Sequence, residues 1–177
     1  MACYDPNSLT ASMSGELSVN LEPGKGLAAG LNGIYIEPIA CRAIRSSTVS
    51  IPHALETVVN WNSESYDSTG TMHHNSVDSS RIVIPEDGIY VLNAHGQFAA
   101  TILTSGIRFR KNGTTSLAFC HAPASVTTFG DVNGTVVASL VATDFVEVLY
   151  FQTSSGSLAR DLNELTSWFS VTKIATL

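Results

Sequence analysis

Basic residues are scarce in this chain: nine lysines and arginines stand against fifteen aspartates and glutamates, for a formal charge of -6. That balance offers no electrostatic footprint for a phosphate backbone or an anionic membrane, so neither nucleic acid nor a membrane is an expected partner. Long apolar runs are missing too. No stretch approaches the roughly 18–20 residues that a spanning helix needs. The opening MACYDPNSLT lacks the basic start and apolar stretch of a secretory signal, and the expectation is a protein made and assembled in the cytosol. Cysteine is limited to Cys3, Cys41 and Cys120, an odd number at wide spacing that suits neither a disulfide framework nor a paired-cysteine zinc site. Buried or idle thiols are the expected reading. Nucleophile elbow, phosphate-cradling loop and kinase-type motifs are absent as well.

What is present points to β-structure. The chain has 177 residues, enough for one well-filled core with an appendage. Turn signals recur at Asn32-Gly33, Asp87-Gly88, Asn112-Gly113, Asn133-Gly134 and Ser155-Gly156, and between them lie short runs rich in Val, Ile, Thr, Phe and Tyr without helical periodicity. This pattern predicts an all-β sandwich or barrel. The clearest strand runs from Gly88 to Ala100, with Tyr90, Leu92, Ala94, Gly96 and Phe98 on the core face and Ile89, Val91, Asn93, His95 and Gln97 on the other. Thr135 to Ala142, Phe145 to Thr153 and Ser167 to Ile174 read as further strands, the first two joined tightly at Thr143-Asp144. Ile107 to Lys111 and Ser116 to His121 read as a hairpin closed by Asn112-Gly113, a dipeptide that accepts the positive φ angles of a two-residue turn. Pro85 is expected to end one strand and Asp87-Gly88 to reverse the chain before the core strand.

Residues 1–40 differ. LSVNLEPGKGLAAGLNGIYI, from Leu17 to Ile36, holds short alternating apolar segments broken by Pro23-Gly24 and Asn32-Gly33. Two readings stand: a short stalk in which three copies wrap one axis and cover each other's apolar side chains, or a plain extended linker. Cys3, Tyr4, Leu17, Val19 and Leu21 are its candidate anchor residues.

Asp144 and Glu147 are read as turn-capping or solvent-facing carboxylates, not as a catalytic pair. His73-His74 lack HxxxH spacing and an accompanying cysteine or carboxylate cluster, so no metal and no cofactor are expected. The segment from Ser63 to Ser80 reads as a polar surface loop with Tyr66, Met72, His73 and His74. Ala122 to Asp131 reads as another, with Thr127, Thr128 and Phe129. Such loops are either weak contact sites for a glycan or protein or simply solvated.

From Val58 onward, the order of RIVIPEDGIY, the RKNGT hairpin and ATDFVEVLYFQ followed by SWFSVTKI resembles the jelly-roll domain of complement C1q globular heads and tumour necrosis factor, in the version found at the ends of many phage and bacterial surface proteins. The resemblance covers about Cys41 to Leu177. It implies a ten-strand antiparallel β-sandwich and a homotrimer in which one sheet of each subunit packs around a threefold axis. Val91, Asn93, His95 and Gln97 would then face neighbouring subunits, joined by Trp168 and Ser170 from the last strand, and the threefold axis would bring three copies of His95 together.

The function this implies is that of a non-enzymatic virion protein of a bacteriophage, a trimeric fibre or knob on capsid or tail. It would be assembled in the host cytoplasm and shown on the virion surface. Residues 1–40 would bind capsid or tail proteins, and the jelly roll (residues 41–177) would meet a host-surface glycan or protein. The alternatives are a receptor-binding tail tip and a secreted cytokine-like trimer.

Overall fold

The structure is a computed structural model that describes residues 38–98, 104–122, 130–154 and 165–177 in full, and beyond these only the backbone of the strands named below. The chain divides into two compact units, Met1–Pro38 and Ile39–Leu177. In the first, β1 (Thr10–Ala11) pairs antiparallel with β2 (Leu17–Ser18), and β3 (Leu27–Gly30) with β4 (Gly33–Ile36).

The second unit is all β among its described residues. Its strands are β5 (Ala40–Ile44), β6 (Val49–Ile51), β7 (Thr57–Val58), β8 (Ser63–Asp67), β9 (Arg81–Val83), β10 (Gly88–Phe98), β11 (Thr104–Lys111), β12 (Thr115–Ala122), β13 (Gly130–Leu140), β14 (Phe145–Thr153), β15 (Leu158–Asp161) and β16 (Ser167–Ala175). One sheet runs β8-β5-β16-β10-β13, and the β6-β15 ribbon continues it where β15 meets the end of β10. The other runs β12-β11-β14, with β7 and β9 in tandem on the free edge of β14. Every pairing is antiparallel, and with seven strands in one sheet and five in the other the two-sheet jelly roll is as expected, with two strands more than the ten anticipated.

The core follows from alternation. Along β10, Tyr90, Leu92 and Phe98 are fully buried and Ala94 nearly so, while each intervening residue stays partly exposed, as the period-two reading predicts. Phe109, Val148, Tyr150, Phe169 and Val171 meet them from both sheets, and each large side chain so buried contributes about 1.5–3 kcal/mol. Trp61, not among the residues singled out above, is also fully buried and lies 6.2 Å from the Phe169 ring.

Three turns tie one end of the sandwich together. Asn112 and Gly113 take φ of 51° and 72°, and the Lys111 carbonyl accepts from the Thr114 amide at 3.1 Å, the two-residue turn expected of Asn-Gly. Asn112 donates its side-chain amide to Asp144 at 2.7 Å and accepts from the Phe145 amide at 2.9 Å. Asp144 also accepts from the Val141 amide, and the Ala142 amide donates to Asp87 at 2.8 Å. Asp144 is thus a turn cap, as expected. Glu147 is not solvent-facing: it is 8% exposed and held by Arg110 at 2.9 Å and Ser80 at 3.2 Å.

One turn signal misleads. Asn133-Gly134 is no turn: β13 runs straight through both, with Gly134 opposite Ala94. The glycine is there for space, since a Cβ on it would lie 2.8 Å from Cε2 of Phe109 in the opposite sheet.

Candidate functional site

The outer face of the β8-β5-β16-β10-β13 sheet is built by the residues that alternate with the core. Register aligns them in rows across the strands. Val137 stands opposite Val91, and Val91 opposite Thr172; Thr135 opposite Asn93, then Ser170, then Arg42; Asn133 opposite His95, then Trp168, then Ile44; and Asp131 opposite Gln97. The expected interface residues Val91, Asn93, His95, Gln97 and Trp168 therefore share one partly exposed face. Ser170 shares it too but is only 8% exposed, on the floor between Arg42 and Asn93.

A stacked row crosses the middle of this face. The His95 and Trp168 rings stack at 6.1 Å and 21°, and the Arg42 guanidinium covers the indole at 4.8 Å. On the other flank Asp131 accepts from Gln97 at 2.9 Å and lies 3.6 Å from Nε2 of His95, whose Nδ1 is 3.1 Å from the Thr166 carbonyl. Thr135 donates to Asn93 at 2.8 Å. Toward the other end of the strands the face turns apolar, with Val137 58% exposed beside Val91 and Ile89. The sequence reading missed Arg42, Asp131 and Val137. Alternation in ACRAI signals the first and alternation along Thr135 to Ala142 the third; Asp131 was hidden because Asn133-Gly134 was read as a break in β13.

The expected loop residues separate. Tyr66 and His74 are exposed, whereas Met72 and His73 are buried at 1% and 4% and belong to the interior, correcting their placement on a polar loop. The cause is Asp67. Its carboxylate accepts the backbone amides of Thr69, Gly70, Met72 and His73 at 2.7–3.1 Å, which folds the loop back and turns Met72 inward. Burial works against the Asp67 charge, but the His73 and Met72 amides and both Thr69 donors outweigh it and hold its carboxyl below the ordinary value. Thr127, Thr128, Phe129, Cys3, Tyr4, Val19 and Leu21 lie outside the described residues, and Leu17 is described only as backbone in β2.

A second cluster lies where β5 meets the edge strand β8. Cys41, Glu64 and Asp67 bring their sulfur and carboxylate oxygens within 4.8 Å of one another, and Nδ1 of His73 is 3.5 Å from Oε2 of Glu64. Burial, with Asp67 and Glu64 adding to it, pushes the Cys41 thiol far above its ordinary pKa. His73 is therefore accompanied by a carboxylate, with a cysteine in the adjoining cluster, contrary to the expectation from spacing.

No family model matches the chain, and no curated protein matches it. Solved structures do. An Eiger TNF from S. frugiperda aligns at TM-score 0.62 and 13% identity over 80% of this chain and 95% of its own. Murine APRIL at pH 8.0 aligns at 0.58 and 16% over 76% and 98%. The globular domain of a zebrafish complement 1qA protein aligns at 0.54 and 15% over 78% and 98%. Together with the sheet order described above, these alignments give the chain the jelly-roll fold of the tumour necrosis factor and C1q globular domains.

Proposed function

We propose that the chain is a non-enzymatic homotrimeric module for assembly and attachment, in which two further copies cover the outer face of the β8-β5-β16-β10-β13 sheet. The observation that carries this reading is the composition of that face. A half-buried Trp168 stacked between Arg42 and His95 continues into exposed Val137 and Val91 within a field of fixed hydrogen bonds. Aromatic and Arg anchors at the centre with a polar surround are the usual anatomy of an interface core. The same row offers stacking and hydrogen bonding but no nucleophile set against a base.

In this reading the trimer is a bacteriophage virion protein, a fibre or knob on capsid or tail. Residues 1–40 bind capsid or tail proteins, and the jelly roll displays three copies of each outer loop to a host-surface glycan or protein. Trivalency on a rigid body would turn weak single contacts into useful avidity. The support is the resemblance of RIVIPEDGIY, RKNGT and ATDFVEVLYFQ to domains at the ends of phage proteins. A second reading, a secreted cytokine-like trimer, is favoured by the likeness to APRIL and Eiger TNF. Light scattering at micromolar concentration tests the trimer, and a folded particle of 18.8 kDa would refute it. Electron microscopy of purified particles labelled against this chain tests the virion role: label on capsid or tail supports it, and unlabelled particles overturn it.

A further inference from the structure

We infer that Cys41, Glu64 and His73 bind a divalent cation of the zinc type at the β5-β8 edge of the sheet. A local irregularity brings the donors together. Glu64 and Asp67 are three apart, a spacing that a regular strand sends to opposite faces. Here the register shifts between Arg42 and Ala43, so that Cys41 pairs with Asp67, Arg42 with Tyr66 and Ala43 with Glu64, leaving Ser65 as the extra residue of a bulge. Both carboxylates thereby come to the side of Cys41 and Ala43, which are fully buried.

A buried imidazole meets this cluster at Glu64. The His73 side chain is 0% exposed, and neither its Nδ1 nor Oε2 of Glu64, 3.5 Å away, has a hydrogen-bond partner. The other ring nitrogen, Nε2, lies 3.3 Å from the Ser79 carbonyl, which can only accept, so Nε2 carries the hydrogen. A neutral ring in that tautomer aims the Nδ1 lone pair at a carboxylate oxygen. Two dry acceptors facing each other need something positive between them. A backbone carbonyl behind the far ring nitrogen is also the support that metal-bound histidines commonly have. Asp67, with both oxygens taken by backbone amides, acts as a fixed neighbouring charge, not as a ligand.

The donor set selects the ion. Thiolate, imidazole and a single carboxylate suit zinc and other late transition metals, whereas calcium and magnesium take oxygen shells. Binding expels the Cys41 thiol proton to solvent. The Glu64 side chain is 33% exposed, which gives the ion a way in and leaves a fourth position for water. The competing arrangement is a doubly protonated His73 paired with Glu64, with no metal.

Chelator-treated protein titrated with Co(II) separates the two. The expected result is one equivalent bound, with tetrahedral visible absorption and a thiolate-to-cobalt band in the near ultraviolet, both displaced by zinc. Cys120→Ser retains both signals; Cys41→Ala loses the thiolate band, and His73→Gln weakens binding at least ~100-fold, since losing a group that touches the ion costs more than losing one that only orients a ligand. Zinc at about a hundredfold excess over Kd raises the wild-type Tm by roughly 5–10 °C. A wild-type protein with no band at millimolar Co(II) and a zinc-insensitive Tm overturns the site, whatever the variants do. So does a band that His73→Gln forms with wild-type affinity, or one that vanishes with Cys120→Ser.

Discussion

Trp168→Ala removes an indole that projects from β16 on the side opposite Phe169 and Val171, so it takes nothing from the sandwich core. In the isolated subunit the ring already contacts Arg42 at 4.8 Å and His95 at 6.1 Å. Part of its surface is thus covered before assembly, and the low end of the usual cost for truncating an interface tryptophan applies, ~2 kcal/mol. A trimer has three equivalent interfaces, so the loss totals about 6 kcal/mol, or roughly four decades in the monomer–trimer constant at ~1.4 kcal/mol per decade. That constant has the dimensions of concentration squared, so the midpoint of dissociation scales as its square root and rises about 100-fold. Sedimentation equilibrium across a dilution series reads the midpoint, and circular dichroism confirms that the dissociated variant keeps its β-structure. Trp168→Phe should recover part of the shift, because a smaller ring still fills the stack. A Trp168→Ala midpoint within threefold of wild type would refute the reasoning, and so would a variant that unfolds as it dissociates.

Gly134→Ala places a methyl 2.8 Å from Cε2 of Phe109 and 3.2 Å from Sγ of Cys120, inside packing that cannot give without moving a core ring. We expect overpacking to cost ~1–3 kcal/mol, at roughly 2–4 °C of Tm per kcal/mol in a calorimetric melt; an unchanged Tm would mean the two sheets separate more readily than the geometry allows. The pH profile follows from Asp67 and Asp144. Burial opposes the charge of each, but amide and side-chain donors outweigh it and hold both carboxyls below their ordinary range in the folded chain. Their contribution is complete above the unfolded value of about 3.9 and is lost as pH falls through the folded values. Melts from about pH 7 to about pH 2.5 should therefore be level at first and fall steeply below about pH 4, with Asp144→Asn lower on the plateau and shallower in the fall. An equally steep fall in the variant would assign the acid sensitivity elsewhere.

The sandwich was legible in the sequence because its strongest signals are local. Alternation along Gly88–Phe98 fixes both faces of β10 at once, one by burial and the other by elimination. Asn112-Gly113 is a turn for a reason contained in those two residues, their tolerance of positive φ. The same dipeptide at 133–134 failed because the reason for its glycine sits in the other sheet, in the ring of Phe109. Likewise the polar count of residues 63–80 concealed that one carboxylate, Asp67, could gather four amides and turn Met72 inward. An aspartate followed by Ser-Thr-Gly was the available sign, since such residues commonly hydrogen-bond backbone a few positions on.

The β5-β8 cluster shows why a site can escape a reading that finds the fold. Strand parity assigns Glu64 and Asp67 to opposite faces, and no property of either residue contradicts it. Only the partner strand does, because its register skips over Ser65 between Arg42 and Ala43. A bulge is a decision made by pairing, so its position depends on residues more than twenty places away, and side chains beyond it change face without any change in their own sequence. The proposed assembly face needs no such event. From Val91 onward its rows are regular, its partners lie directly across the strands, and the alternation that buries Tyr90 and Phe98 necessarily turns Val91, His95 and Gln97 outward. Sites built on unbroken register can therefore be read from one strand, whereas sites built on irregular register require the neighbouring strand as well.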